Sequence, residues 1–220
     1  WVNEQRDQVK QAVAGFDMTF SPAKSISVLW ALADEGTASK IAACHHEAVA
    51  EVLGWAEEHA VRTRMGAGGL AQVKTNGIIA SEFTHFDTRA GDPDLHSHVL
   101  VSNKVQGPDG KWRTIDSRGL FKQNQTLSAR YDAVLQDILT RKMGLAFEAS
   151  PRGDGKEPVW EVAGVPQQLI DQFSKRRAMA RPVYEQLLAD FVKTHGHQPD
   201  KRTQMRLWQS AILDTRDAKK

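Results

Sequence analysis

Cysteine is almost absent from this 220-residue chain; Cys44 is the single one. No intrachain disulfide can form, so a packed core has to hold the fold, and an intracellular setting is the expectation. Long apolar runs are missing as well. None approaches the roughly 20 residues that span a bilayer as a helix, so no membrane insertion is expected. No signal peptide opens the chain, and no internal repeat or low-complexity tract interrupts it. The glycine cluster Gly66-Ala67-Gly68-Gly69 lacks a following Lys-Ser/Thr and is no phosphate-binding loop. Aromatic residues make up 7% of the chain and fall mostly on apolar stripes, which argues against an aromatic-lined groove for single strands. Tyrosine occurs twice, as Tyr131 and Tyr184, each beside apolar helix neighbours that give it a packing role.

What is present is ordinary globular composition, 40% hydrophobic and 25% charged, enough to bury a real core. The net charge of +2 is uneven. Residues 1–110 carry 9 Lys/Arg against 14 Asp/Glu, and residues 111–220 carry 20 against 13. A basic half beside an acidic one is compatible with a nucleic-acid partner.

Three of the eight histidines gather in FTHFDTRAGDPDLHSHVLVSN, residues 83–103. The run around His96 and His98 alternates as a strand, so both imidazoles share one face while Leu95, Ser97, Val99 and Val101 share the other. The preceding run, with Phe83 and His85, also has strand character, and TRAGDPD between them is turn-forming. Antiparallel pairing of the two strands would bring His85 beside His96 and His98, a three-nitrogen site with open positions. A cupin would add a carboxylate soon after the pair, and Val99–Asn103 contains none.

The remaining elements follow in order. Residues 2–12 read as a polar helix or frayed end. Gly15–Phe20 alternates as a strand with Phe16, Met18 and Phe20 toward a core and Asp17 and Thr19 on the other face. Ser21-Pro22 predicts a helix start with Ser21 as N-cap, a stripe of Ile26, Leu29, Trp30 and Ala33, and Lys24 and Ser25 in a first turn that suits an anion. Asp34-Glu35-Gly36 breaks the chain before a long helix to about Val61, on which His45, His46 and His59 read as structural or solvated. Short strands, the histidine strands, a hairpin at Gly107–Gly110 and a helix over about 125–143 come next. A strand pair then flanks the loop Ser150–Glu157. From Pro166 the pattern is helical, with a break or kink at Pro182 and a surface loop at His195-Gly196-His197. These elements predict an α+β, two-layer fold: a mainly antiparallel sheet backed by helices, with a C-terminal helical region.

FDMTFSPAKSISVLWALAD, the histidine segment, GKWRTIDSRGLF and WEVAGVPQQLIDQFSKRR together resemble the conjugative relaxases of the MobF (TrwC/TraI) type, members of the histidine–hydrophobic–histidine endonucleases, although the middle residue is Ser97. The resemblance implies a catalytic core over 1–165 and a helical part over 166–220. His85, His96 and His98 match the ligands of one divalent ion (Mg, Mn, Zn or Ni). Asp17 matches the acidic residue beside them, and Arg89 matches an Arg in the loop before the His pair, with phosphate contact as its implied role. Lys24 and Ser25 join it as expected DNA contacts on the first-turn reading alone. The implied activity is nicking and strand transfer at an origin of transfer by tyrosine transesterification, in a bacterial cytoplasm, with single-stranded DNA and relaxosome proteins as partners. That family's tyrosines lie upstream of the strand matching Gly15–Phe20. With neither Tyr131 nor Tyr184 in that place and Trp1 at the start, the expectation is a fragment holding the metal half of the site and no nucleophile. The alternatives are a non-catalytic single-stranded DNA-binding module and a metal-dependent hydrolase that uses bound water.

Overall fold

The structure, a computed structural model, describes residues 12–151 and 158–215. The polar N-terminal segment and most of the loop 150–157 lie outside these residues. In order the elements are β1 (Gly15–Phe20), α1 (Lys24–Leu32), α2 (Glu35–His59), β2 (Thr63–Met65), β3 (Ala71–Val73), β4 (Ala80–Asp87), β5 (Pro93–Ser102), β6 (Val105–Gln106), β7 (Trp112–Arg113), α3 (Ser117–Lys122), α4 (Asn124–Met143), β8 (Phe147–Ser150), β9 (Val159–Val162), α5 (Gln167–Gln172), α6 (Lys175–His195) and α7 (Lys201–Asp214). Helices and antiparallel strands are mixed as the sequence pattern predicts.

The chain forms two compact units. One takes Trp1–Ser21, Cys44–Thr84 and His96–Ile138; the other takes Pro22–Ala43, His85–Leu95 and Leu139–Lys220. The first holds β1 and most of β4 and β5, strands of a three-stranded sheet ordered β1-β5-β4. β1 runs antiparallel to β5 with Thr19 opposite His98, Asp17 opposite Leu100 and Phe16 opposite Val101. Gly15 is required at its start, since a Cβ there would lie 2.6 Å from the Val101 carbonyl oxygen. Ser97, Val99 and Val101 are buried, while His96, His98 and Leu100 are not. Behind them α2 contributes Val49 and Val52 and α4 contributes Leu135, all buried.

In the second unit the start of α1 is enclosed. Ser25, Ile26, Ser27 and Val28 are all buried, where the sequence stripe predicts Ile26, Leu29, Trp30 and Ala33. The N-cap is Ala23, not Ser21. A residue before proline is biased to extended backbone, which keeps Ser21 out of the helix, and Ala23 is extended too, at ψ 147°. Asp34 is where α2 begins: its carboxylate accepts from the Thr37 amide at 3.0 Å and the Thr37 hydroxyl at 2.7 Å. α6 continues through Pro182 without the expected break. Proline removes one backbone donor but need not end a helix that neighbouring bonds sustain. Gly196, left-handed at φ 73°, closes α6.

Leu95 and Leu100 test the two faces of β5, since Leu95 is fully buried and Leu100 is 49% exposed. Leu95→Ala should cost about 2–5 kcal/mol. Leu100→Ala should stay within about 0.5 kcal/mol. Urea unfolding of the two variants measures the difference.

Candidate metal centre and its surroundings

Strand alternation gives this site its front and back. On the exposed face, His96 and His98 stand two residues apart on β5 with ring centroids 5.3 Å apart. Asp17 reaches across from β1. Its carboxylate oxygens lie 2.9 and 2.8 Å from Nδ1 of His98, and Thr19 Oγ1 lies 3.3 Å from the same nitrogen. A carboxylate accepts, so Nδ1 of His98 carries the proton and the lone pair is left on Nε2. A carboxylate placed in this way can orient an imidazole whose other nitrogen is available to a metal. His85 is exposed on β4, one residue past the point where that strand passes from the first unit into the second.

A family profile for the TrwC relaxases matches residues 2–220. The chain belongs to the TrwC relaxase family. It is 28% identical over 215 residues to the multifunctional conjugation protein TraI of Escherichia coli, covering 91% of this chain and 12% of that protein. The chain thus spans about an eighth of the length of this curated relative. Among solved structures it is similar to the conjugative relaxase TrwC in complex with mutant origin-of-transfer DNA, with a TM-score of 0.77 and 26% identity over 99% of this chain and 71% of that one. It is also similar to the metal-bound structure of TrwC in complex with origin-of-transfer DNA, with a TM-score of 0.69 and 27% identity over 91% and 72%.

The back of β5 in this TrwC-family chain carries a polar network that sequence reasoning missed. His45, on α2, is fully buried. Its Nδ1 lies 2.6 Å from the Tyr131 hydroxyl and its Nε2 lies 2.8 Å from Ser97 Oγ. Ser97 donates to Glu82 Oε1 at 2.6 Å, and His46 Nδ1 lies 2.8 Å from the same oxygen. Each hydroxyl has one proton, which fixes the direction. Ser97 donates to Glu82 and so accepts from Nε2–H of His45; Nδ1 of His45 then accepts from Tyr131. His45, His46 and Glu82 do bring ligand atoms within 4.8 Å of one another, a spacing that can hold a metal ion. Both nitrogens of His45 are already used, however, so the group reads as a satisfied hydrogen-bond chain. The signal available in the sequence was His45 within the apolar stripe of its helix, because a buried polar side chain must have a partner.

Both tyrosines are packed. Tyr131 is 2% exposed, its ring edge-on to Phe20, and burial pushes its phenol well above the usual range. Tyr184 sets its ring edge-on to Trp208 at 5.3 Å. Of the expected DNA contacts, Arg89 is exposed in the turn between β4 and β5. Lys24 donates to the Pro93 carbonyl, and burial pulls its pKa down against the opposing pull of Asp94 and Asp92. Ser25 departs from expectation. It is fully buried, its amide donates to Glu161 at 3.0 Å, and its hydroxyl accepts from the Val162 amide at 2.8 Å. The anion at this helix start is the chain's own Glu161, which leaves Ser25 no room for a phosphate.

Burial, and then the neighbouring His46, hold the His45 pKa down to about 4 from its ordinary 6.5. Because the folded state favours neutral His45, its contribution is complete above about pH 6.5 and is lost as pH falls toward 4, by on the order of 3 kcal/mol. His45→Gln should flatten that part of the stability profile, measured as urea midpoints between pH 7 and pH 4.

Proposed function

We propose that this chain is the metal half of a relaxase active site, acting on single-stranded DNA at an origin of transfer. The carrying observation is the Asp17–His98 pair at 2.8 Å on the exposed face of the sheet, with His96 beside it. His85, His96 and His98 are the ligands in this reading. Support for His85 comes from alternation. The Thr84 and Ser97 hydroxyls, both in the first unit, are 3.4 Å apart, and alternation along β4 turns the residue after Thr84 to the opposite face of that strand from Thr84. Three imidazoles leave open positions and suit a first-row divalent ion such as Zn²⁺ or Mn²⁺, with Mg²⁺ and Ni²⁺ as other occupants. When bound, the ion supplies positive charge against the oxygens of the scissile phosphate.

The chain's own groups do the remainder. Asp17 holds the proton on Nδ1 of His98 and turns Nε2 toward the site. Arg89, exposed in its turn, steadies the DNA backbone by charge. The reaction is transesterification: a tyrosyl oxygen bonds to phosphorus, the 3′ oxygen leaves, and the strand stays linked through its 5′ phosphate. Tyr131 is not that nucleophile, since its hydroxyl is spent on His45, and Tyr184 is committed to packing against Trp208. This reading takes neither tyrosine of the chain as the attacking group. The cytoplasm and relaxosome proteins are the setting and partners that go with this activity.

With labelled single-stranded origin DNA and Mn²⁺, the chain should bind and form no covalent adduct on a denaturing gel. Asp17→Ala should weaken metal binding about 10–100-fold. A protease-sensitive adduct that disappears in Tyr131→Phe or Tyr184→Phe would overturn the nucleophile assignment. Strand cleavage without an adduct would instead identify a hydrolase that uses water.

A further inference from the structure

Ser97 stands between His96 and His98, two of the three proposed ligands, and faces away from them. Its neighbours on the back of β5 are apolar and fully buried: Leu95 and Val99. A valine at 97 would continue that row, yet a hydroxyl sits there with no exposure. Burying a hydroxyl is unfavourable unless its bonds are made. Here they are made in full, by His45 at 2.8 Å and Glu82 at 2.6 Å, and Tyr131 completes His45 at 2.6 Å. Side chains from α2 and β4 thus meet on Ser97 of β5, with Tyr131 of α4 bonded behind His45. Ser97 shares a peptide bond with His96 on one side and with His98 on the other. Apolar contacts are non-directional, whereas a hydrogen-bonded hydroxyl favours a set distance and angle.

We infer that Ser97 is a positioning residue for the metal centre: the chain Tyr131–His45–Ser97–Glu82 pins β5 from behind so that His96 and His98 are presented at fixed spacing. The inference rests on the reading of those histidines as ligands. It assigns His45 and Tyr131 to the support of the site rather than to its chemistry. Ser97 holds the strand while Asp17 orients the ring of His98, so the imidazole is fixed from both ends.

The test is Zn²⁺ affinity by isothermal titration calorimetry, with thermal melting of the same samples. Ser97→Ala should weaken Zn²⁺ binding about 10–100-fold, the effect typical of lost support around a metal ligand. Ser97→Thr, which keeps the hydroxyl, should stay within about threefold. The apolar triple variant Ser97→Val, His45→Leu, Tyr131→Phe removes the bonding partners together, so it should melt above Ser97→Ala yet bind Zn²⁺ as weakly. Leu135→Ala, a core change on α4, should lower the melting temperature and leave the affinity unchanged. The inference is overturned if Ser97→Ala binds within twofold of the unaltered protein, if the triple variant regains affinity with stability, or if Leu135→Ala weakens binding as much. His96→Ala separates the two layers of argument. If it binds Zn²⁺ as well as the unaltered chain, the metal is not on this strand and the parent reading falls as well.

Discussion

β5 has to satisfy two environments with one alternating strand. Every second side chain enters the core, where packing and hydrogen bonding must be complete, and every other one faces outward. Leu95, Ser97, Val99 and Val101 meet the first demand and are buried. His96 and His98 meet the second, and the antiparallel register with β1 sets Thr19 opposite His98. Asp17 lies on the same face, two residues back along β1, so its carboxylate reaches the imidazole of His98 with no loop to position it. A slip of one residue would exchange the faces, burying the imidazoles and exposing the valines. Core and candidate site are thus specified by the same hydrogen-bond ladder.

The second unit shows how much charge and polarity the chain consumes internally. The helix start of α1 holds Glu161, and the Ser27 hydroxyl accepts from the Leu95 amide at 3.1 Å. Asp92, 1% exposed, caps α6 through the Lys175 amide at 2.7 Å, with the Lys175 ammonium 3.6 Å away. These bonds tie the turn that carries Arg89 to helices in its own unit. An exposed arginine on an anchored turn can offer its guanidinium to a phosphate with little ordering cost. Among the described residues no helix is long and apolar enough to cross a membrane.

Local chemistry explains which features were legible in the sequence. The period-two pattern of LHSHVLV and FDMTF is a property of neighbouring residues, so strand faces, the paired histidines and the outward Asp17 could be read directly. The resemblance to the relaxases, carried by motifs spread over most of the chain, matches the family found by comparison. Features that depend on distant partners could not be read. His45 meets Ser97 across 52 residues, and Ser25 meets Glu161 across 136. Nothing near Ser25 announces that a carboxylate will fill its helix start. The Ser21 cap failed for a local reason, because the Ser-Pro step held the backbone extended. Pro182 did not break the helix: the 21-residue α6 runs through it.

The central claim is the place of the metal. Crystals of the chain soaked in Zn²⁺ and measured at the zinc edge would locate the ion by anomalous scattering. The account predicts a single strong peak about 2.0–2.1 Å from one nitrogen each of His85, His96 and His98, with Asp17 still on Nδ1 of His98. A peak between His45, His46 and Glu82, with the bonds from His45 to Tyr131 and Ser97 broken, would contradict it.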